Sequence, residues 1–320
     1  MRFAKVDGGA LGDVEDRPTS EALRRRDGLV GLIREALDMV GLVPGETTVF
    51  LSVPIYVSSN TIDLPQPIIS WSFDVAVLQE RLGVRELKVV NDMAALGLAL
   101  PLVVASQSLA PIHDGNPRRV GFPMVIIGVR TGLSALGFVL AGEGELRWLP
   151  VQTEAGHIGL VATNADEQEL IDRLRLTRIQ QGEWVVRAQD ALSKGGLSDL
   201  HRAVNYDLDL SSVEVTADGL VRAAEKGDGP AIKTMQAWSH LMGNFARMMA
   251  LAYGAWGGLL LAGQLPRAFL ADDQTENRRL FNEAFLVPGP SSTYMDNIPV
   301  ACVTHADPYL LGLSRFLPAP

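Results

Sequence analysis

Cysteine is nearly absent: Cys302 is the only one in 320 residues. A lone thiol excludes an intramolecular disulfide and any zinc site built from several cysteines, and it fits a reducing compartment. Runs of basic residues are missing as well. With 28 Lys and Arg against 37 Asp and Glu, the formal net charge is −9. That balance argues against binding a nucleic-acid backbone, which needs clustered cations. A small anionic ligand is still accommodated, because backbone N–H groups at helix starts hold phosphate without net positive charge. No hydrophobic run suits a bilayer: residues 94–105 are too few, and 241–262 contain Asn244 and Arg247. The first residues carry no apolar signal core or cleavage site. Repeats, low-complexity tracts and Ser/Gly linkers are also lacking. These absences predict a cytoplasmic protein with neither nucleic-acid nor membrane partners.

What is present is a globular composition, 47% apolar and 20% charged, able to bury a substantial core. The chain is long enough for one large or two ordinary domains. Short β-branched runs, "TTVFLSV" (47–53) and "ELKVV" (86–90), alternate with helical patterns. Leu23, Leu29, Leu32, Ala36 and Met39 recur at helical spacing before Gly41. "MVIIGV" and "ALGFVL" flank "RTGLS" as a hairpin-like pair. The strongest helix lies after Asp228: Pro230 suits its first turn, Ile232, Met235, Trp238, Met242, Phe245 and Met249 line one face, and Gly254 stops it. "GGLLLAG" and "IPVACVTH" read as strands, with a closing helix after them. Alternation of this kind predicts α/β layers.

Four stretches could carry chemistry. Asn91-Asp92 ends a strand and precedes an apolar helix, so it reads either as a helix cap or as a carboxylate at the carboxyl edge of a sheet. "TEAGHIGL" sets Glu154 and His157 three residues apart around a glycine, a pair suited to hydroxyl recognition, with a surface Glu and a loop His as the plainer alternative. No third ligand stands nearby for a metal. "GVRTGLS" offers Gly128, Thr131 and Gly132 as a phosphate-binding turn, and an ordinary hairpin explains it equally well. "GDGPAIKT" lacks phosphate-loop spacing and reads as a helix start.

Taken in order, these pieces resemble the bacterial glucokinase family of the actin and hexokinase ATPase superfamily. "ELKVVNDMAALGLALP" is similar to the family's strand ending in Asn-Asp, and "RTGLS" to its second phosphate loop, GTGLG. "RWLPVQTEAGHIGL" is similar to its Glu-x-Gly-His segment, "ALSKGGLSDLHRA" to its Leu-Ser-Gly-x-Gly-Leu stretch, "GGLLLAGQLP" to its Gly-Gly strand end, and "THADPYLLGL" to its closing motif. The resemblance runs colinearly from Arg2 to about Gly312.

The resemblance implies two ribonuclease-H-like α/β domains flanking a cleft: residues 1–92 with a helix at about 307–320, and residues 93–306. It implies a glucokinase, transferring the γ-phosphoryl group of ATP, with Mg²⁺, to the 6-hydroxyl of glucose or a related hexose. Asp92 is then the general base. Asn91, Glu154, His157 and Gln189 contact the sugar, and Thr131, Gly132 and Gly263 lie along the nucleotide. A homodimer is the assembly common in the family. "MRFAKVDGGALGD" is similar to the family's second strand, so the chain is expected to start just after the first phosphate loop, Asp-x-Gly-Gly-Thr-Asn. A misplaced start, or a catalytically impaired sugar-binding or regulatory descendant, would each account for that. Further departures bear on nucleotide affinity and sugar choice. Arg130 and Ser134 replace loop glycines, Gln189 replaces a Glu, Gln264 replaces the second glycine of its pair, and "QPIISWSF" keeps only the Trp (Trp71) of a Thr-Asn-x-x-Trp stretch.

Overall fold

A computed structural model describes residues 2–7, 10–17, 27–55, 57–64, 71–116, 121–141, 147–180, 182–208 and 215–316. The opening Gly8-Gly9 turn, Leu23, residues 66–70 of the Trp71 stretch and the tail 317–320 lie outside these. The chain divides into two compact units, one of 1–106 with 306–320, the other of 107–305.

In the first unit the opening strand β1 (Arg2–Asp7) is paired, not alone: it forms an antiparallel hairpin with β2 (Ala10–Asp16), Arg2 opposite Asp16. Helix α1 (Gly28–Met39) follows, and its 3–4 spacing puts Val30, Ile33 and Leu37 on one buried face. Strand β3 (Thr48–Val53) runs parallel to β6 (Glu86–Asn91), while β4 (Thr61–Leu64) and β5 (Trp71–Asp74) form a separate antiparallel pair. Helix α2 (Val75–Leu82) starts where the Asp74 carboxylate accepts from the Ala76 and Val77 N–H groups, and it ends at left-handed Gly83. Leu78 and Leu82 join the α1 residues in a small core over β6.

Helix α3 (Asp92–Ala105) follows β6 directly. It lies within the first unit, which runs to Ser106 and takes in the closing segment from residue 306. The reason is a close crossing with the closing helix Pro308–Leu313. A Cβ on Gly312 would sit 1.6 Å from the Ala95 carbonyl oxygen, an approach only glycine permits. The chain changes units at Gln107, the one described non-glycine residue with positive φ, 55°.

The second unit is built on a six-stranded sheet in the order β10-β9-β8-β11-β12-β7. Its strands are β7 (Leu109–His113), β8 (Met124–Val129), β9 (Leu133–Ala141), β10 (Arg147–Thr153), β11 (Gly258–Gly263) and β12 (Val300–Val303). β8, β11 and β12 run parallel, and β9, β10 and β7 pair antiparallel at the two sides. β8 is buried along its whole length and β11 up to Gly263, as continuous apolar runs require. The helices are α4 (Ala165–Ile179), α5 (Gln189–Leu192), α6 (Leu197–Val204), α7 (Ala217–Glu225), α8 (Gly229–Tyr253), α9 (Gln264–Phe269), α10 (Thr275–Phe285) and α11 (Ser292–Asp296). The 25-residue α8 begins at Asp228, whose carboxylate accepts from Ala231 N–H, carries Pro230 in its first turn and ends at left-handed Gly254. Its Trp238 is fully buried and meets Phe269 edge-on at 5.3 Å. Among the described residues no helix is long and apolar enough to cross a membrane.

Candidate functional site

The two readings of Asn91-Asp92 separate onto two residues. Asn91 ends β6 and is the cap: its amide oxygen accepts from the N–H groups of Met93, at 2.9 Å, and Ala94, at 3.2 Å. Its amide nitrogen donates to the Ile55 carbonyl at 2.9 Å, which ties β6 to the chain leaving β3. Asp92 is the first residue of α3 and is buried. The cap therefore positions the acid beside it.

In the second unit, five of the predicted residues converge. Glu154 precedes a single 3₁₀ turn, Ala155–His157, and Glu154 Oε2 stands 3.8 Å from His157 Nε2. Gln189 Nε2 lies 3.4 Å from His157 Nδ1. With Nδ1 accepting, the imidazole proton sits on Nε2 and faces the carboxylate. Gln189, at the start of α5, also reaches the phosphate-loop candidate: a Cβ on Gly132 would lie 3.5 Å from its Oε1. Gly156 holds the turn against the neighbouring strand, since a Cβ there would be 1.9 Å from the Leu133 carbonyl oxygen. Glu154 and His157 remain exposed, so their polar atoms are open to hydroxyl groups.

Thr131 and Gly132 occupy the β8–β9 turn, closed by an Arg130 N–H donated to the Gly132 carbonyl at 2.9 Å. A second loop, residues 193–196, lies against it: Lys194 N–H donates to Arg130 O at 2.8 Å and Gly195 N–H to Thr131 O at 3.1 Å. Gly263 ends β11, directly opposite Val129 in the parallel register, so both loops and Gly263 share one carboxyl edge of the sheet. That edge is where open α/β sheets bind ligands. Gly263 has φ of 134° and would place a Cβ 2.1 Å from Val129 O, so no other residue fits. Gln264 Nε2 donates to Asp218 Oδ2 at 3.0 Å. Beside that pair a hollow of about 350 Å³ is lined by Asp218, Val221, Arg222, Ala268, Ala271 and Gln274.

One helix braces this constellation. From α8, Trp238 Nε1 donates to Leu192 O at 3.0 Å, fixing the turn after Gln189. Asn244 Nδ2 donates to Val161 O at 2.6 Å, and Tyr253 OH donates to Thr153 Oγ1 at 2.8 Å, gripping the chain on both sides of Glu154–His157. His240 Nδ1 lies 2.7 Å from Glu167 Oε1, and Glu167 Oε2 accepts from Thr163 N–H and Oγ1–H at 2.5 and 2.7 Å. Burial alone would raise the Glu167 carboxyl; the hydrogen bonds from His240 and Thr163 outweigh it and hold the group below the usual range. Asp190, next to Gln189, is paired with Arg178 at 2.6 Å. The helical spacing of apolar residues marked the core face of α8 but not these polar braces. Asn244, an amide inside an apolar run, was the available signal. Lys194 was passed over too, although it stands within the Leu-Ser-Gly-x-Gly-Leu resemblance.

This α/β unit, with a glycine-bounded loop at its carboxyl edge and a carboxylate–imidazole–amide group beside it, has sugar kinases of the actin-like ATPase fold as its structural neighbours. A glucokinase from an Antarctic psychrotroph superposes with a TM-score of 0.71 at 24% identity, over 99% of this chain and 94% of that one. A ROK-family glucokinase from Streptomyces griseus, in complex with glucose and AMPPNP, superposes with a TM-score of 0.56 at 17% identity, over 98% and 94%. Among curated proteins, the glucokinase of Psychromonas ingrahamii is 30% identical over 249 residues, 78% of this chain and 74% of that protein. The glucokinase family profile matches residues 21–319, and the chain belongs to that family.

Proposed function

We propose that the chain is an ATP-dependent glucose kinase, transferring the γ-phosphoryl group to the sugar 6-hydroxyl. The observation that carries this reading is the convergence of Glu154, His157 and Gln189 on the Thr131–Gly132 loop, in a chain of the glucokinase family. In this reading Glu154, His157 and Gln189 hydrogen-bond sugar hydroxyls, together with the amide hydrogen of Asn91 that Ile55 leaves over. Groups matched to hydroxyls discriminate strongly, because a sugar lacking one leaves its partner unsatisfied. Asp92 accepts the hydroxyl proton as the phosphoryl group is transferred. Backbone at Thr131, Gly132 and Gly263 lies along the nucleotide phosphates, and the hollow beside Gln264 receives its base. Among the described residues no three His, Cys, Asp or Glu side chains converge on one point. Mg²⁺ would be carried by the donor's phosphates, the usual habit of this ion, and would supply positive charge to neutralise the charge developing there. The reading places the protein in the cytoplasm, and a homodimer is its proposed assembly.

The test is glucose-dependent ADP release by the purified chain, with Asp92→Asn as control. Turnover that needs both glucose and Asp92 supports the reading. A folded chain that binds glucose saturably but releases no ADP overturns it in favour of a sugar-binding protein without catalysis.

A further inference from the structure

Two cations stand where the loops of the second unit meet. Arg130 leads the 130–132 turn and Lys194 sits in the 193–196 loop, joined by the 2.8 Å backbone hydrogen bond from Lys194 N–H to Arg130 O. Both residues are exposed. Both loops are held firmly: Gly196 N–H donates to Ser193 Oγ at 3.0 Å, and Gly195 N–H to Thr131 O at 3.1 Å. Asp190, four residues before Lys194, is not its partner: it is paired with Arg178 and accepts the Arg187 N–H at 2.9 Å. Lys194 has no carboxylate partner among the described residues. In a chain of net charge −9, that backbone bond sets two exposed basic residues on adjoining loops at the carboxyl edge of a parallel sheet.

We propose that Lys194 and Arg130 clasp the triphosphate chain of the phosphoryl donor, a role that rests on the kinase reading. Lys194 supplies a point charge and Arg130 a planar fork of donors, complementary ways of holding phosphate oxygens. The clasp acts in donor binding and touches neither the sugar nor the proton transfer.

The experiment titrates the full chain with inorganic tripolyphosphate by calorimetry and compares Lys194→Gln and Lys194→Arg. Loss of about tenfold in affinity is expected for K194Q, with K194R within about threefold of wild type. Raising KCl should weaken the wild type more than K194Q, because one charge contact fewer is screened. K194Q within about twofold of wild type, K194R falling as far as K194Q, or no tripolyphosphate binding by the wild type each overturns the clasp. ADP release on the same samples separates this proposal from the one beneath it. Tripolyphosphate binding without glucose-dependent turnover overturns the kinase reading and leaves the anion site standing. Turnover in which K194Q shows an unchanged KM for ATP overturns the clasp, and a KM for ATP raised about tenfold at unchanged KM for glucose supports it.

Discussion

In the second unit β8 and β11 are buried almost end to end and sit between further strands, whereas the described strands of the first unit come as three separate pairs with half-exposed faces. The candidate residues are held in correspondingly different ways. Asp92 owes its place to neighbours in the chain: a strand end, an Asn91 cap and the first turn of α3. Glu154, His157 and Gln189 lie on short turns that define little by themselves. They are placed by hydrogen bonds from one remote helix, with Trp238, Asn244 and Tyr253 reaching backbone or side chains 46 to 100 residues away. Buried bonds of this sort are costly to break, since a lost partner leaves a polar group unsatisfied. The contrast teaches that the candidate of the first unit is positioned locally and those of the second by long-range packing, so damage should propagate differently in each unit.

The largest expected effect tests the local half. Asp92→Asn should lower kcat for glucose phosphorylation by about 10²–10⁴-fold while leaving the melting temperature nearly unchanged, because the Asn91 cap survives. A loss of stability as large as the loss of rate would show that Asp92 is structural and would break the comparison. The long-range half is tested by His240→Ala, which removes one of the hydrogen-bond donors to the buried Glu167 carboxylate. Losing such a partner costs about 1–3 kcal/mol, read by urea unfolding, and the KM for glucose should rise with it as the 158–164 segment loosens. If stability fell and the KM did not move, the brace would not reach the sugar residues.

A smaller effect concerns pH. Burial holds His201 below the ordinary imidazole value of 6.5, with Asp228 opposing weakly. The unfolded chain therefore takes up its proton first, and the stability His201 contributes is complete above pH 6.5 and is lost as pH falls through its depressed folded value. Glu167 adds a loss of the same sign below 4.5, where the unfolded carboxylate protonates before the folded one. His201→Gln, which can keep the bond to Thr234 Oγ1 but cannot titrate, should flatten the melting temperature between pH 6.5 and about 5, by about 2 °C. An unchanged acid limb would remove His201 from the account. The smallest effect is chemical. Burial pushes the Cys302 thiol up to about 12, so the folded chain should resist alkylation at pH 8 and react once denatured. Rapid labelling of the native protein would mean that the β7–β12 side of the sheet opens readily.

Much of this was legible in advance, and the reasons differ by element. The strands β8 and β11 announce themselves because a central parallel strand must be apolar on both faces. Helix α8 shows its start, stop and core stripe through Asp228, Pro230 and Gly254 and the recurrence of Trp238, Met242, Phe245 and Met249. The opening segment is legible as a strand, while its pairing with Ala10–Asp16 and the irregular register near Ala4 are not. A chain-local signal, polar residues at a strand end, marks the edge of a sheet as readily as the edge of a domain. Only the crossing of Ala95 by Gly312 shows to which unit α3 belongs.

By itself, then, the sequence determined the α/β class, the positions of most strands and helices, the absence of disulfides, and the short stretches that bear the chemistry. Each follows from properties local in the chain: periodicity, capping, glycine placement and composition. Tertiary structure alone decided that Asn91 caps while Asp92 is left at the helix start, that Gln189 meets His157 and Gly132, that α8 braces all three, and that Lys194 faces Arg130. Those facts depend on contacts between residues tens of positions apart, and nothing in the spacing of one segment encodes which distant backbone group a buried Trp238 or Asn244 will satisfy.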